Sequence, residues 1–157
     1  MAIDVKPGKH GIRGAQAGDI EAITDIDARI TSLTKPDYWA DMFARYGNRA
    51  NRFFLIAEDE NKKLIGFIIG EVRAWEFGSQ PSGWVFAIGV DPETRLNKVG
   101  SSLFQAICDC LAKAGVDTVR TMLARDDELN MTFFRSQGMM AGPFIQLEMP
   151  LIGGEGS

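Results

Sequence analysis

Residues 90–102, VDPETRLNKVGSS, bring together a strand-like apolar end, an Asp91-Pro92 turn, two cations (Arg95 and Lys98), a glycine (Gly100) and two serines (Ser101 and Ser102). The residues after them have helical spacing, so the small residues fall at a helix start. A helix N-terminus carries unpaired N–H groups and the positive end of the helix dipole. Small residues there let an anion approach the backbone closely, and a pyrophosphate is the natural guest. The same stretch also reads as an ordinary strand–helix connection with its cations in water. Proton chemistry has few candidates. Glu71 and Glu76 lie near the end of a strand-like run, where a solvated strand-end charge is the common case. The only tyrosines are Tyr38 and Tyr46, and His10 is the only histidine. One histidine leaves neither a zinc site nor a histidine triad in serious consideration. Cys108 and Cys110, two apart in a helical pattern, point to different sides, which disfavours a disulfide or a metal pair.

These residues need elements to position them. Ile12-Arg13 reads as a short first strand. Ile20, Ile23, Ile26 and Ile30 then recur at helical spacing behind Asp19, a candidate N-cap. Pro36 opens a second helix carrying Tyr38, Trp39, Met42, Phe43 and Tyr46, and Gly47 closes it. RFFLIAED and KLIGFIIGEVRAW flank a polar turn and predict a hairpin. WVFAIGV is a nearly unbroken apolar run, as expected of a strand buried on both faces. Val99 to Ala114 predicts a helix stopped by Gly115. VDTVRTMLA predicts another strand, DDELNMTFFRSQG a short helix, and FIQLEMPL a final strand. This order predicts an α+β, three-layer fold with a mixed sheet and helices on both faces.

The chain has 157 residues and is 45% hydrophobic, which suits one domain over 1–157, with 1–10 and 153–157 as loose tails. Its net charge of −4 makes it a poor non-specific nucleic-acid binder and suits a cationic acceptor such as an amine. No apolar run is long enough to span a bilayer, and the N-terminus lacks a signal-peptide core. Neither a nucleic acid nor a membrane is expected as a partner, and the cytoplasm is the expected compartment.

GWVFAIGVDPETRLNKVGSSLFQAI resembles the acyl-CoA-binding motif of the GNAT acyltransferase superfamily, in which a strand leads through a V-x-P turn into Q/R-x-x-G-x-G/A at a helix start. Arg95 stands at the first position of that motif, Gly100 and Ser102 come after it, and Lys98 stands where the family has its first glycine. IRGAQAGDIEAITDID, LIGFIIGEV and DDELNMTFFRSQGM resemble the family's opening, third-strand and closing segments in the right order. The closing segment departs in having Met139 for the usual phenylalanine, and Phe134 where many members have an acidic tyrosine.

The resemblance implies a mostly antiparallel sheet splayed between strands 4 and 5. Pantetheine would pair there with the backbone of Ile88, Gly89 and Val90. Pyrophosphate would lie on Arg95, Leu96, Asn97, Lys98, Val99, Gly100, Ser101 and Ser102. On the closing helix Asn130 is a candidate cofactor contact or a solvent-facing residue, and Phe133 a cofactor contact or core. The implied activity is N-acetyl transfer from acetyl-CoA, without a metal, to an amine of a protein or a small molecule, by direct attack in a ternary complex. The implied base is Glu71 or Glu76, and a homodimer is compatible. The missing tyrosine and Lys98 leave a second reading, a non-catalytic CoA-binding module.

Overall fold

The structure is a computed structural model that describes residues 11–153, apart from the side chains at 95–97. Five strands form one sheet in the order β1-β2-β3-β4-β5: β1 Gly11–Gly14, β2 Arg52–Glu58, β3 Leu64–Arg73, β4 Ser82–Val90 and β5 Val119–Arg120. β1 to β4 are antiparallel neighbours, and β5 runs parallel to β4. The helices are α1 Ile20–Thr31, α2 Pro36–Tyr46, α3 Val99–Lys113 and α4 Glu128–Ser136. This is the mixed, mostly antiparallel sheet that the sequence predicts.

The two faces of the sheet are covered by different helices. On one, Ile23 and Ile26 of α1 and Trp39 and Met42 of α2 pack with Phe54, Ile56, Phe67 and Ile69 of β2 and β3. Trp39 lies edge-on to Phe67 at 4.9 Å between centroids, and its indole N–H donates to Asp27 at 3.1 Å, tying α2 to α1. On the other face α3 buries Val99, Leu103, Ile107 and Leu111 completely, or nearly so. Each such side chain stabilises the fold by about 1.5–3 kcal/mol. The helix can lie this close because β3 and β4 offer glycines beneath it. A Cβ at Gly70 would come 2.7 Å from the Trp84 carbonyl oxygen and 2.9 Å from Ile107, and one at Gly83 would come 2.6 Å from Leu111.

The start of the chain is clamped by charge. The Arg13 guanidinium grips both carboxylate oxygens of Asp19, at 2.8 and 2.9 Å, and also reaches Glu58. Burial pushes the Asp19 carboxyl up, but Arg13 and the Gln16 amide outweigh it and hold the group below its ordinary value. Asp19 precedes α1 but makes no side-chain bond to the helix amides. Its carboxylate accepts instead from the Gln16 amide behind it, at 2.7 Å.

Three strand expectations change. VDTVRTMLA contributes only the two residues of β5 to the ladder. FIQLEMPL forms no strand among the described residues, and residues 140–153 are all exposed. β4 is buried on both faces only in its first part. The chain divides into two compact units, Met1–Met122 and Leu123–Ser157. The second carries α4, whose N-cap Asp127 accepts from the Asn130 amide at 3.1 Å, in line with a capping role for the acidic start of that segment.

Candidate active site

β4 is interrupted by a bulge. Ile69 pairs with Ala87 and Gly70 with Val85, which leaves Phe86 as an extra residue with no partner on β3. A bulge bends its strand and re-aims the residues beyond it. The parallel ladder to β5 covers only Gly83 and Trp84, and the Thr121 hydroxyl extends it by one bond to the Val85 carbonyl at 2.7 Å. Beyond the bulge β4 follows β3 to Val90 and has no partner on its β5 side among the described residues. Phe86 is accordingly exposed, and Ala87, Ile88 and Val90 are half-buried. The sheet therefore splays between β4 and β5.

The direction of the β4 amides follows from one bond. The Asp91 amide donates to the Ile65 carbonyl of β3 at 2.8 Å. Successive backbone groups of a strand alternate sides, so the amides of Val90 and Ile88 turn to the opposite, open edge. Gly89 turns toward β3. Its contribution is room, since a Cβ there would come 2.6 Å from the Phe67 ring.

The loop after β4 is anchored by Asp91, which is fully buried. Its carboxylate accepts from Arg29 of α1 at 3.1 and 3.2 Å and from the Glu93 amide at 3.1 Å. Pro92 then opens a short 3-10 turn, Pro92–Asn97. The side chains of Arg95, Leu96 and Asn97 lie outside the described residues. Lys98 comes next, in the left-handed region at φ 58° and ψ 27°, with its side chain exposed. This is the conformation that the glycine of the resembled motif adopts without cost, and lysine takes it at roughly 1–2 kcal/mol. The turn at Lys98 starts α3, whose first turn is Val99, Gly100 and Ser101, with no side-chain cap and no acidic residue. The Ser102 amide already donates back to the Lys98 carbonyl at 3.1 Å, and its hydroxyl does so at 3.2 Å. Val99 itself is core, so only its backbone belongs to the loop.

The two candidate bases differ. The Glu71 carboxylate lies between Arg73 at 3.1 Å and Arg52 at 3.9 Å, and is largely buried. Glu76 sits on the β3–β4 loop, more than half exposed, and reaches Arg73 only at 3.9 Å. Its neighbours Trp75 and Phe77 are exposed and left-handed, at φ 62° and 48°. On α4, in the second unit, the Asn130 side-chain amide donates to Asp127 at 2.9 Å, while Phe133 is half-buried and lies edge-on to the buried Phe134 at 5.1 Å. Trp39 and Met42 of α2 are core, whereas the Tyr46 ring meets Phe86, the bulge residue, at 4.9 Å. Burial, then Asp109, pushes the Cys108 thiol up to about 11, and burial raises Cys110 as well, so neither is a thiolate at neutral pH.

Asp91, Arg29, Thr121 and Phe86 were absent from the sequence expectations for the site. Asp91 was findable, because Asp-Pro ahead of a turn is an N-cap signature. Phe86 and Thr121 had no local signal, since a bulge shows only when two strands are placed in register.

Residues 20–139 match the acetyltransferase (GNAT) family, and the chain belongs to it. A stretch of 85 residues is 28% identical to a mycothiol acetyltransferase of Renibacterium salmoninarum, covering 54% of this chain and about a quarter of that protein's length, 25%. The aminoglycoside 6'-N-acetyltransferase AAC(6')-Ih of Acinetobacter baumannii shares the fold, with a TM-score of 0.77 at 16% identity, covering 92% of this chain and 99% of that one. The aminoglycoside N-acetyltransferase AAC(6')-Iy, solved in complex with CoA, gives a TM-score of 0.78 at 16% identity, covering 94% and 99%. A transcriptional regulator from Bacillus halodurans gives 0.74 at 16% identity, covering 90% and 99%.

Proposed function

We propose that this chain is a single-domain, cytoplasmic N-acetyltransferase that moves an acetyl group from acetyl-CoA to an amine. The observation that carries this reading is the splay: a bulge at Phe86 leaves the amides of Ile88 and Val90 facing an open edge, and β4 leads directly into the uncapped start of α3. An extended pantetheine suits the first feature and a pyrophosphate the second. In this reading the neutral amine attacks the thioester carbonyl, a C–N bond forms, the C–S bond breaks, and CoA leaves as a thiolate. Holding the two reactants together supplies much of the rate. An amide at the open edge stabilises the carbonyl oxygen as it gains charge. The proton lost by the amine goes to water or a carboxylate. Of the two candidates, the less engaged Glu76 fits this role better, because Glu71 is held by arginines. No tyrosine acid is needed at Phe134, since a thiol is acidic enough to leave as an anion.

The acceptor is an amine of a small molecule or of a protein. The names of the mycothiol and aminoglycoside acetyltransferases support the small molecule, and the negative charge of the chain suits a cationic acceptor. The test is release of free CoA thiol from acetyl-CoA over a panel of amines and peptides. Amine-dependent release is expected. Glu76→Gln is expected to lower the maximal rate at neutral pH by roughly 10²–10⁴-fold, less as rising pH deprotonates the amine in solution. CoA binding with no release for any amine would leave the inert CoA-binding module as the better reading.

A further inference from the structure

The bulge at Phe86 changes which backbone groups of β4 face outward. Before it, the Gly83 amide donates to the Thr118 carbonyl at 2.8 Å, and the Val85 carbonyl accepts from the Thr121 hydroxyl at 2.7 Å. The outward residues there are Gly83 and Val85. After the bulge they are Ile88 and Val90, as the bond from the Asp91 amide to Ile65 requires. The series shifts by one at the extra residue. The Thr121–Val85 bond is therefore the closed end of the splay, and the outward groups beyond it are open.

That closed end is walled on both faces of the sheet. Gly83 and Val85 share the face that α3 covers. A Cβ at Gly83 would meet Leu111 of α3 at 2.6 Å, and Val85 is only 1% exposed. On the other face the Phe86 ring lies against Tyr46 of α2, with 4.9 Å between centroids. Tyr46 is itself held: the Arg52 guanidinium lies over its ring at 5.4 Å and donates to the Arg45 carbonyl at the end of α2 at 3.0 Å.

We infer that Thr121 determines the length of the acyl group that this chain transfers: its bond to Val85 is a stop that admits acetyl and excludes chains of four carbons or more. The inference rests on the acyl-transfer reading. In that reading the phosphates lie at the start of α3, so pantetheine runs from Val90 toward Ile88. The thioester then comes last, nearest the closed end. Ile88 and Val85 are three positions apart, roughly 10 Å of strand, and less across a bulge. The arm from the last pantetheine amide, the sulfur and the thioester carbonyl take up most of that span. A methyl or ethyl group fills the remainder. A longer chain must break the Thr121 bond and leave the Val85 carbonyl without its partner, or push apart the Tyr46–Phe86 pair.

The test is calorimetric binding of acetyl-, propionyl-, butyryl- and hexanoyl-CoA to the full chain. Thiol release from the same series, with an amine that the chain accepts, accompanies it. Affinity and kcat/KM are expected to fall from butyryl onward, by roughly 10–200-fold for each methylene past the stop. Thr121→Val keeps the shape of the side chain and removes its donor. It is expected to raise the butyryl-to-acetyl ratio roughly 10-fold or more, whereas Thr121→Ser keeps the hydroxyl and the ratio of the parent. A general loss of stability weakens all acyl-CoAs together and does not move that ratio. Equal affinity for acetyl- and hexanoyl-CoA in the parent, a result that needs no variant to fold, would overturn the inference and leave the acyl-transfer reading standing. So would an unchanged ratio in folded Thr121→Val. Absence of binding for CoA and for every acyl-CoA would remove the reading and the inference together.

Discussion

Lys98 is where backbone geometry and charge meet. Its left-handed conformation ends the 3-10 turn and aims the first turn of α3. Two substitutions separate its two roles. Lys98→Ala loses the cation and keeps a Cβ in the left-handed region, whereas Lys98→Gly loses the cation and relieves the strain. The glycine variant is expected to be more stable than the alanine variant by about 1 kcal/mol in chemical denaturation. Both are expected to weaken CoA by about 1–2 kcal/mol, the scale of one charge-assisted contact, as read by calorimetry. Equal CoA affinity in the parent and both variants would show that the ammonium faces water only. At this scale the sequence was partly informative. The residue types of the loop were legible, because a strand end, cations and small residues at a helix start are local signals. The role of Asp91 as buried anchor was not, because its partner Arg29 lies 62 positions away and only the fold brings the two together.

The Asp91–Arg29 pair belongs to the scale of elements, because it ties the β4–α3 loop to α1. Its two ends are unequal. The Asp91 carboxylate is fully buried, while the Arg29 side chain is 43% exposed. Removing Arg29 strands a buried charge, whereas removing Asp91 leaves an arginine that water can reach. Arg29→Ala is therefore expected to destabilise the chain by roughly 3 kcal/mol, the scale for breaking a buried pair. Asp91→Asn keeps an acceptor for the Glu93 amide and carries no buried charge, so its cost is expected to be smaller. Urea midpoints in the opposite order would show that the loop is held mainly by the Asp91 cap and not by the ion pair. Helices and the central hairpin were legible as elements because each carries its own period and stops: Pro36 at the start of α2, Gly47 at its end, Gly115 after α3. The last part of the sheet was not. A run of apolar residues states that a strand fits, not that a neighbour is present. That is why β4 reads as doubly buried yet opens after Phe86, and why 144–151 reads as a strand yet forms none among the described residues.

At the scale of the whole molecule the question is what fills the splay. β4 and β5 hold together through Gly83, Trp84 and the Thr121–Val85 bond, and part beyond the bulge. Open backbone along β4 is costly unless water or a ligand takes its hydrogen bonds. A ligand that pairs with that edge, and whose charge lies on the start of α3, binds the folded chain and not the unfolded one. CoA is therefore expected to stabilise the chain by mass action, by about 2.7 kcal/mol when present at one hundred times its Kd. A fragment lacking the 3'-phosphate ADP portion can reach only the strand edge, and a nucleotide alone only the helix start, so each is expected to give a smaller shift at equal concentration. Because both features lie within the first unit, thermal unfolding followed through its tryptophans, Trp39, Trp75 and Trp84, is the suitable measurement. A rise of Tm with CoA that continues logarithmically past saturation is the signature of linkage. No rise with CoA, beside a clear rise with an unrelated dinucleotide, would mean that the loop grips phosphate without the strand edge taking part, and the acyl-transfer reading would fail with it.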